Sequence, residues 1–197
     1  MQDMFLEHAK NTLFGYCRAR CGGDTKVRRA VEVAQRSHNG QTRDGGEDYI
    51  IHPLRVATHY IAFMDAPTED EVVAAVLHDV LEDDPAMTHA ALAQEFGATV
   101  ADAVRVLSRK TPDWKLSAED YRVALLHAPR FAQVIKLCDR FDNILSLYTC
   151  PDAAKVGRYL DQTEHFYGEL GRAAHSDLLQ VILGEIERIR EGCGERG

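Results

Sequence analysis

The stretch His78-Asp79-Val80-Leu81-Glu82-Asp83 follows directly on the apolar run Val72-Val73-Ala74-Ala75-Val76-Leu77. The apolar run predicts a core helix over Glu69 to Leu81. Such a helix has no physical use for His, Asp, Glu and Asp within six residues, because burying unpaired charge is expensive. Residues at i, i+3 and i+4 share a helix face, so Glu82 and Asp83 can stand beside whatever His78 and Asp79 hold. The pattern fits a metal site with a built-in acid/base pair. A solvated helix end is the alternative reading of the same six residues.

Two further segments supply partners. His52 opens a helix, His52-Pro53-Leu54-Arg55-Val56-Ala57, with Pro53 suited to the first helical position. Asp139 follows an apolar stretch in Ile135-Lys136-Leu137-Cys138-Asp139-Arg140-Phe141-Asp142-Asn143 and carries charge towards an interior. Taken singly, His52 is a helix-start residue and Asp139 an ion-pair partner of Arg140 or Lys136. Taken together, His52, His78, Asp79 and Asp139 form a nitrogen and oxygen donor set from three helices. That set suits Mn²⁺, Fe²⁺ or Zn²⁺ better than a thiolate-preferring ion.

The order of these motifs resembles the HD-domain phosphohydrolases, and the flanking words resemble the hydrolase domain of RelA/SpoT proteins. Those words are Ser37-His38-Asn39-Gly40-Gln41-Thr42-Arg43, Glu47-Asp48-Tyr49-Ile50-Ile51-His52-Pro53, Phe96-Gly97 and Lys136 to Asn143. The similarity runs from about Val27 to about Leu170. It leaves no room for a nucleotidyltransferase or regulatory domain, so the chain looks most like the stand-alone small alarmone hydrolases, a group that includes the metazoan SpoT homologue.

The resemblance implies an all-α HD-domain helical bundle that hydrolyses the 3′-pyrophosphate of (p)ppGpp to pyrophosphate and GDP or GTP, with Mn²⁺ as the usual ion. It implies His52, His78, Asp79 and Asp139 as metal ligands and Glu82 and Asp83 as the groups that handle water and its proton. It implies Arg43, Asn143, Ser146 and Tyr159 as substrate contacts, Ser146 taking the place of a frequent Thr and Tyr159 lying beside the nucleobase. His38 stays outside the ligand set. Two positions depart from the pattern. Asp44 stands where a second basic residue is frequent, which removes a pyrophosphate contact there. Asp142 stands where His is usual, placing an added acid that repels a phosphate or tunes base choice.

Composition agrees with a single globular domain. The chain has 197 residues, 45% hydrophobic and 27% charged, enough for a sizeable core. No apolar run approaches the roughly 20 residues that cross a bilayer, and the N-terminus lacks the apolar core of a secretory signal. A cytoplasmic location is expected. The formal net charge of −8 disfavours nucleic acid and anionic membrane as partners, so an anionic small-molecule nucleotide needs the metal and a few placed cations. Five cysteines, Cys17, Cys21, Cys138, Cys150 and Cys193, lack zinc-site spacing and are expected as free thiols.

Helical periodicity covers Val27 to Ser37, Pro53 to Phe63, Glu69 to Leu81, His89 to Phe96, Thr99 to Leu107, Ala118 to His127, Arg130 to Tyr148, Ala153 to Ala173 and Ser176 to Arg190. Thr68 with Glu71 predicts a capping box, and Thr88 and Ser117 predict further helix starts. Asn39 to Ile51, with three glycines, predicts a loop or short hairpin over the site, and Ser108 to Lys115 a polar loop. The expected organisation is a helical extension over residues 1–26, the phosphohydrolase core over 27–175 and a C-terminal helix and tail over 176–197. Three rival functions share much of this pattern: the same enzyme on an adenosine alarmone or NADPH, another HD activity such as a 5′-nucleotidase, and a non-catalytic metal-dependent nucleotide sensor.

Overall fold

Three helices that pack on one another position the candidate ligands, His52 on the first, His78 and Asp79 in the turn directly after the second, and Asp139 on the third. In the computed structural model, which describes residues 2–150 and 152–194, these are α3 (Ile51–Phe63), α4 (Glu69–Val76) and α9 (Arg130–Ser146). Leu54, Ala57 and Ile61 of α3, Val73 and Ala74 of α4, and Ile135 and Leu137 of α9 are all fully buried. At about 25 cal/mol per Å² of apolar surface removed from water, this seam is what fixes the three helices relative to one another. Around it lie α1 (Gln2–Arg20) against α3 and α2 (Thr25–Ser37) against α4. The pair α6 (His89–Phe96) and α7 (Ala98–Leu107) packs through α7 on α4 and α9. α8 (Ala118–Leu126), α11 (Gly168–Ala174) and α12 (Ser176–Gly194) also pack on α9, and α10 (Ala153–Gln162) packs on α12. Leu13 and Cys17 of α1 and Leu178, Ile182 and Ile186 of α12 join the same hydrophobic cluster. Among the described residues the thiols of Cys17, Cys21, Cys138 and Cys150 are free; the Cys193 side chain lies outside them.

Local chemistry sets the boundaries. Thr68 Oγ1 accepts from Glu71 N–H and the Glu71 carboxylate accepts from Thr68 N–H, the expected capping box of α4. Thr88 and Ser117 cap α6 and α8 through their side-chain oxygens. Gly97, at φ +93°, ends α6 and starts α7 in one residue, a conformation that a side chain disfavours.

Four expectations need correction. The helix from Glu69 does not run on to Leu81: α4 stops at Val76, and a turn separates it from the one-turn helix α5 (Val80–Asp83). His78 Nδ1 lies 2.9 Å from the Ala75 carbonyl, the acceptor that the Asp79 N–H would use in an unbroken helix, so the side chain displaces the backbone bond. Pro53 is the third residue of α3 rather than the first, still within the turn whose N–H groups need no partner. The loop from Ser108 contains a two-stranded hairpin, β1 (Lys110–Thr111) and β2 (Trp114–Lys115), turned by Pro112-Asp113. The segment from Ala153 to Ala173 is interrupted by a π-helical turn, Thr163–Tyr167, where Thr163 Oγ1 bonds back to the Tyr159 carbonyl at 2.7 Å.

Among the described residues no helix is long and apolar enough to cross a membrane. The glycine-containing segment after α2 is a loop with one antiparallel bridge, Thr42 to Asp48. It turns at Gly40, φ +77°, and is tied by Arg43 N–H to the Glu47 carbonyl at 2.9 Å.

Candidate active site

His52, His78 and Asp139 converge in the interior, each offering a ligand atom within 4.8 Å of the others. All three are buried. His52 Nε2 lies 3.3 Å from Asp139 Oδ1 and 3.7 Å from Asp79 Oδ2. His78 Nε2 lies 3.0 Å from Asp79 Oδ2 and 3.9 Å from Asp139 Oδ1. The four residues expected as ligands therefore stand together, with Asp79 at the edge, its side chain 17% exposed.

The donor set fits a divalent cation on one specific observation. The Ala75 carbonyl can only accept, so His78 Nδ1 carries the ring proton in the neutral imidazole and Nε2 presents a lone pair. That Nε2 is buried with no hydrogen-bond partner, although a carboxylate oxygen is 3.0 Å away. Two lone-pair atoms held so close in a buried site attract a cation between them.

A surrounding layer fixes the candidate ligands. Tyr49 Oη donates to Asp79 Oδ2 at 2.8 Å. Lys136 Nζ sits 2.7 Å from Asp139 Oδ2, and Asn143 Nδ2 donates to Asp139 Oδ1 at 2.6 Å. Burial alone would raise the Asp139 pKa; Lys136 and the two imidazoles outweigh it and hold the carboxyl well below its usual range. Burial likewise opposes the charge on His52, yet Asp139 and Asp142 prevail and raise its pKa to about 9. The ion pair of Asp139 with Lys136 is thus present, and so is the placement of Asp139 at the ligand cluster.

Glu82 and Asp83 sit in α5, one turn past His78 and Asp79. Glu82 Oε1 accepts the backbone N–H of Arg109, which anchors the carboxylate to the segment leading into the hairpin. Asp83 is pushed up to about 6, by burial first and then by the charges of Asp79 and Glu82. Its carboxylate lies 3.6 Å from His38 Nδ1. His38 also contacts Gln41 Oε1 at 3.0 Å, the loop hydrogen bond expected of a histidine outside the ligand set.

Arg43, Asn143 and Ser146 are brought to one place: Arg43 Nη2 is 2.6 Å from Asn143 Oδ1 and 3.4 Å from Ser146 Oγ. Tyr159, on α10, has its ring 4.1 Å from the Arg140 guanidinium, which lies at the same distance from the Tyr167 ring. The π-helical turn brings Tyr167 to that position. Asp44 is paired with Lys155 of α10 at the exposed surface.

Sequence reasoning missed the part played by Asp142. Expected as an acid facing the substrate, it is 1% exposed and turned inward, 2.7 Å from His52 Nδ1 and 2.6 Å from Arg55 Nε. Its charge is consumed by these partners, so it repels no phosphate. The signal available was its spacing of three from Asp139, which puts both on one face of α9. Tyr49, three residues before His52, could have been found in the same way. His59 Nε2 also lies 3.7 Å from Asp142 Oδ1.

The sequence matches the HD-domain family model over residues 30–174, and the chain belongs to the HD-domain family. It is 37% identical over 172 residues to the bifunctional (p)ppGpp synthase/hydrolase SpoT of Escherichia coli, an alignment covering 83% of this chain and 23% of that one. It is 38% identical over 167 residues to the guanosine-3′,5′-bis(diphosphate) 3′-pyrophosphohydrolase of Aquifex aeolicus, covering 82% and 23%. The chain thus spans under a quarter of the length of these curated relatives. A solved structure described as a metazoan orthologue of SpoT that hydrolyzes ppGpp superposes with a TM-score of 0.69 at 23% identity, covering 84% of this chain and 96% of that one. The shared fold is the all-α HD bundle.

Proposed function

We propose that this protein is a metal-dependent phosphohydrolase that removes the 3′-pyrophosphate of (p)ppGpp, releasing pyrophosphate and GDP or GTP, in the cytoplasm. The observation that carries the reading is the buried His52, His78 and Asp139 cluster with its unpartnered His78 Nε2. The substrate rests on the names of the relatives, a bifunctional (p)ppGpp synthase/hydrolase and a guanosine-3′,5′-bis(diphosphate) 3′-pyrophosphohydrolase.

His52, His78, Asp79 and Asp139 hold the ion, with Mn²⁺ the first choice and Fe²⁺ or Zn²⁺ compatible with the same donors. When bound, such an ion polarises a phosphoryl oxygen and lowers the pKa of water from 15.7 towards ~7. The chain supplies the rest. Glu82 and Asp83 orient the attacking water, take its proton and return one to the departing oxygen; a carboxyl raised to about 6, as in Asp83, can both accept and give a proton near neutral pH. Arg43 binds substrate phosphate, exchanging some of its bonds to Asn143 and Ser146 for the ligand. Asn143 and Ser146 contact the nucleotide, and Tyr159 flanks the base.

Cation loading is expected to release a proton. With a pKa of about 9, His52 is charged at pH 7 in the metal-free protein, and ligation needs its neutral form. The sign follows: the raised pKa keeps the proton on below about 9, so apparent affinity climbs with pH, about tenfold per unit, and levels above that value. Calorimetry in buffers of different ionisation enthalpy measures the protons released; none released at pH 7 would remove His52 from the ligands.

The test of the substrate is a product assay on the metal-loaded protein with ppGpp, pppGpp, their adenosine counterparts, NADPH and nucleoside 5′-monophosphates. Pyrophosphate from the guanosine compounds in preference to the others is the expected result. Turnover confined to NADPH or to 5′-monophosphates would replace the substrate, and binding without turnover of any of them would replace the enzyme with a sensor.

A further inference from the structure

We propose that Asp142 is a positioning residue for the cation site, aiming the His52 imidazole and setting its donor strength. The inference rests on the reading of His52 as a ligand. Asp142 Oδ2 lies 2.7 Å from His52 Nδ1, so the ring proton on that side is held by a carboxylate and Nε2 is left pointing at Asp139 and Asp79. A carboxylate behind a ligating histidine fixes its tautomer and orientation and makes the free nitrogen a stronger donor.

A carboxylate buried to 1% exposure is costly unless fully paired. Arg55 pairs with it twice, Nε to Oδ1 at 2.6 Å and Nη2 to Oδ2 at 3.2 Å, and Arg43 Nη1 reaches Oδ2 at 3.2 Å. Arg55 is itself held by Glu47 of the glycine-containing loop at 2.6 Å. Arg43 of the loop and His52 and Arg55 of α3 thus all converge on the Asp142 carboxylate. Asp142 touches neither reacting atoms nor ion; it acts through His52.

The test is Mn²⁺ affinity, by calorimetry and by the electron paramagnetic resonance signal of free Mn²⁺, beside the melting temperature of the metal-free protein. Asp142→Asn is expected to bind Mn²⁺ about 10–100-fold more weakly, with Asp142→Glu recovering part of the loss. The double variant Asp142→Asn with Arg55→Gln removes the Arg55 charge together with the carboxylate and leaves Arg43 its bonds to Asn143 and Ser146, and the same weakening is expected there. Full Mn²⁺ affinity in both Asn variants, whatever the melting temperature does, overturns the role of Asp142 and leaves it a structural ion pair. His78→Ala on the same instrument separates this from the site itself: unchanged affinity in that variant would put the ion elsewhere and overturn the cation site.

Discussion

Asp139→Ala is expected to lose its cation and to hydrolyse at least ~10³-fold more slowly, since several kcal/mol of charge stabilisation leave with the ion. Asp139 is the residue on which the site's contacts concentrate: His52 Nε2, Asn143 Nδ2 and Lys136 Nζ all meet its carboxylate. The substitution also strands Lys136, whose pKa is held up by Asp139 against the burial that lowers it. Breaking such a pair costs about 3–5 kcal/mol, so the variant is expected to melt at a lower temperature as well. His52→Ala separates the two effects, because Asp142 keeps Arg55 and Arg43 as partners when the imidazole is removed. It should lose metal and activity with the smaller loss of stability. Elemental analysis and melting curves on both variants check this, and full metal content in either would remove that residue from the ligand set.

Glu82→Gln is expected to keep the fold and the metal while turnover falls ~10²–10⁴-fold, the usual worth of a positioned proton-transfer group. The one hydrogen bond described for Glu82 is to the Arg109 N–H, and a glutamine retains an oxygen for it. A purely structural Glu82 would therefore show no loss of rate. A loss confined to kcat, with (p)ppGpp affinity nearly unchanged, identifies proton handling; a loss of metal would make Glu82 a ligand.

The helices and the site were legible for different reasons. Apolar spacing marked the helices around the candidate ligands, and charge directly after Val72 to Leu77 marked His78 and Asp79 because burial makes such residues conspicuous. The break between α4 and α5 was not legible, since it depends on a side chain taking the Ala75 carbonyl from the backbone. Nor was the π-helical turn, where Thr163 competes in the same way. Asp142 shows the remaining gap. Its identity and spacing were visible, but whether a carboxylate on α9 faces substrate or the back of His52 depends on which cations other helices and loops bring to it. Arg55 and Arg43 decide that, from 87 and 99 residues away in the chain.

The most direct measurement of the central claim is the stoichiometry of products from ppGpp with the Mn²⁺-loaded wild-type protein, followed by anion-exchange chromatography with and without a chelator. Hydrolysis at the 3′-pyrophosphate predicts GDP and pyrophosphate appearing one to one, halted by the chelator and restored by added Mn²⁺. Release of orthophosphate in place of pyrophosphate, or an unaltered rate in the chelator, would contradict it.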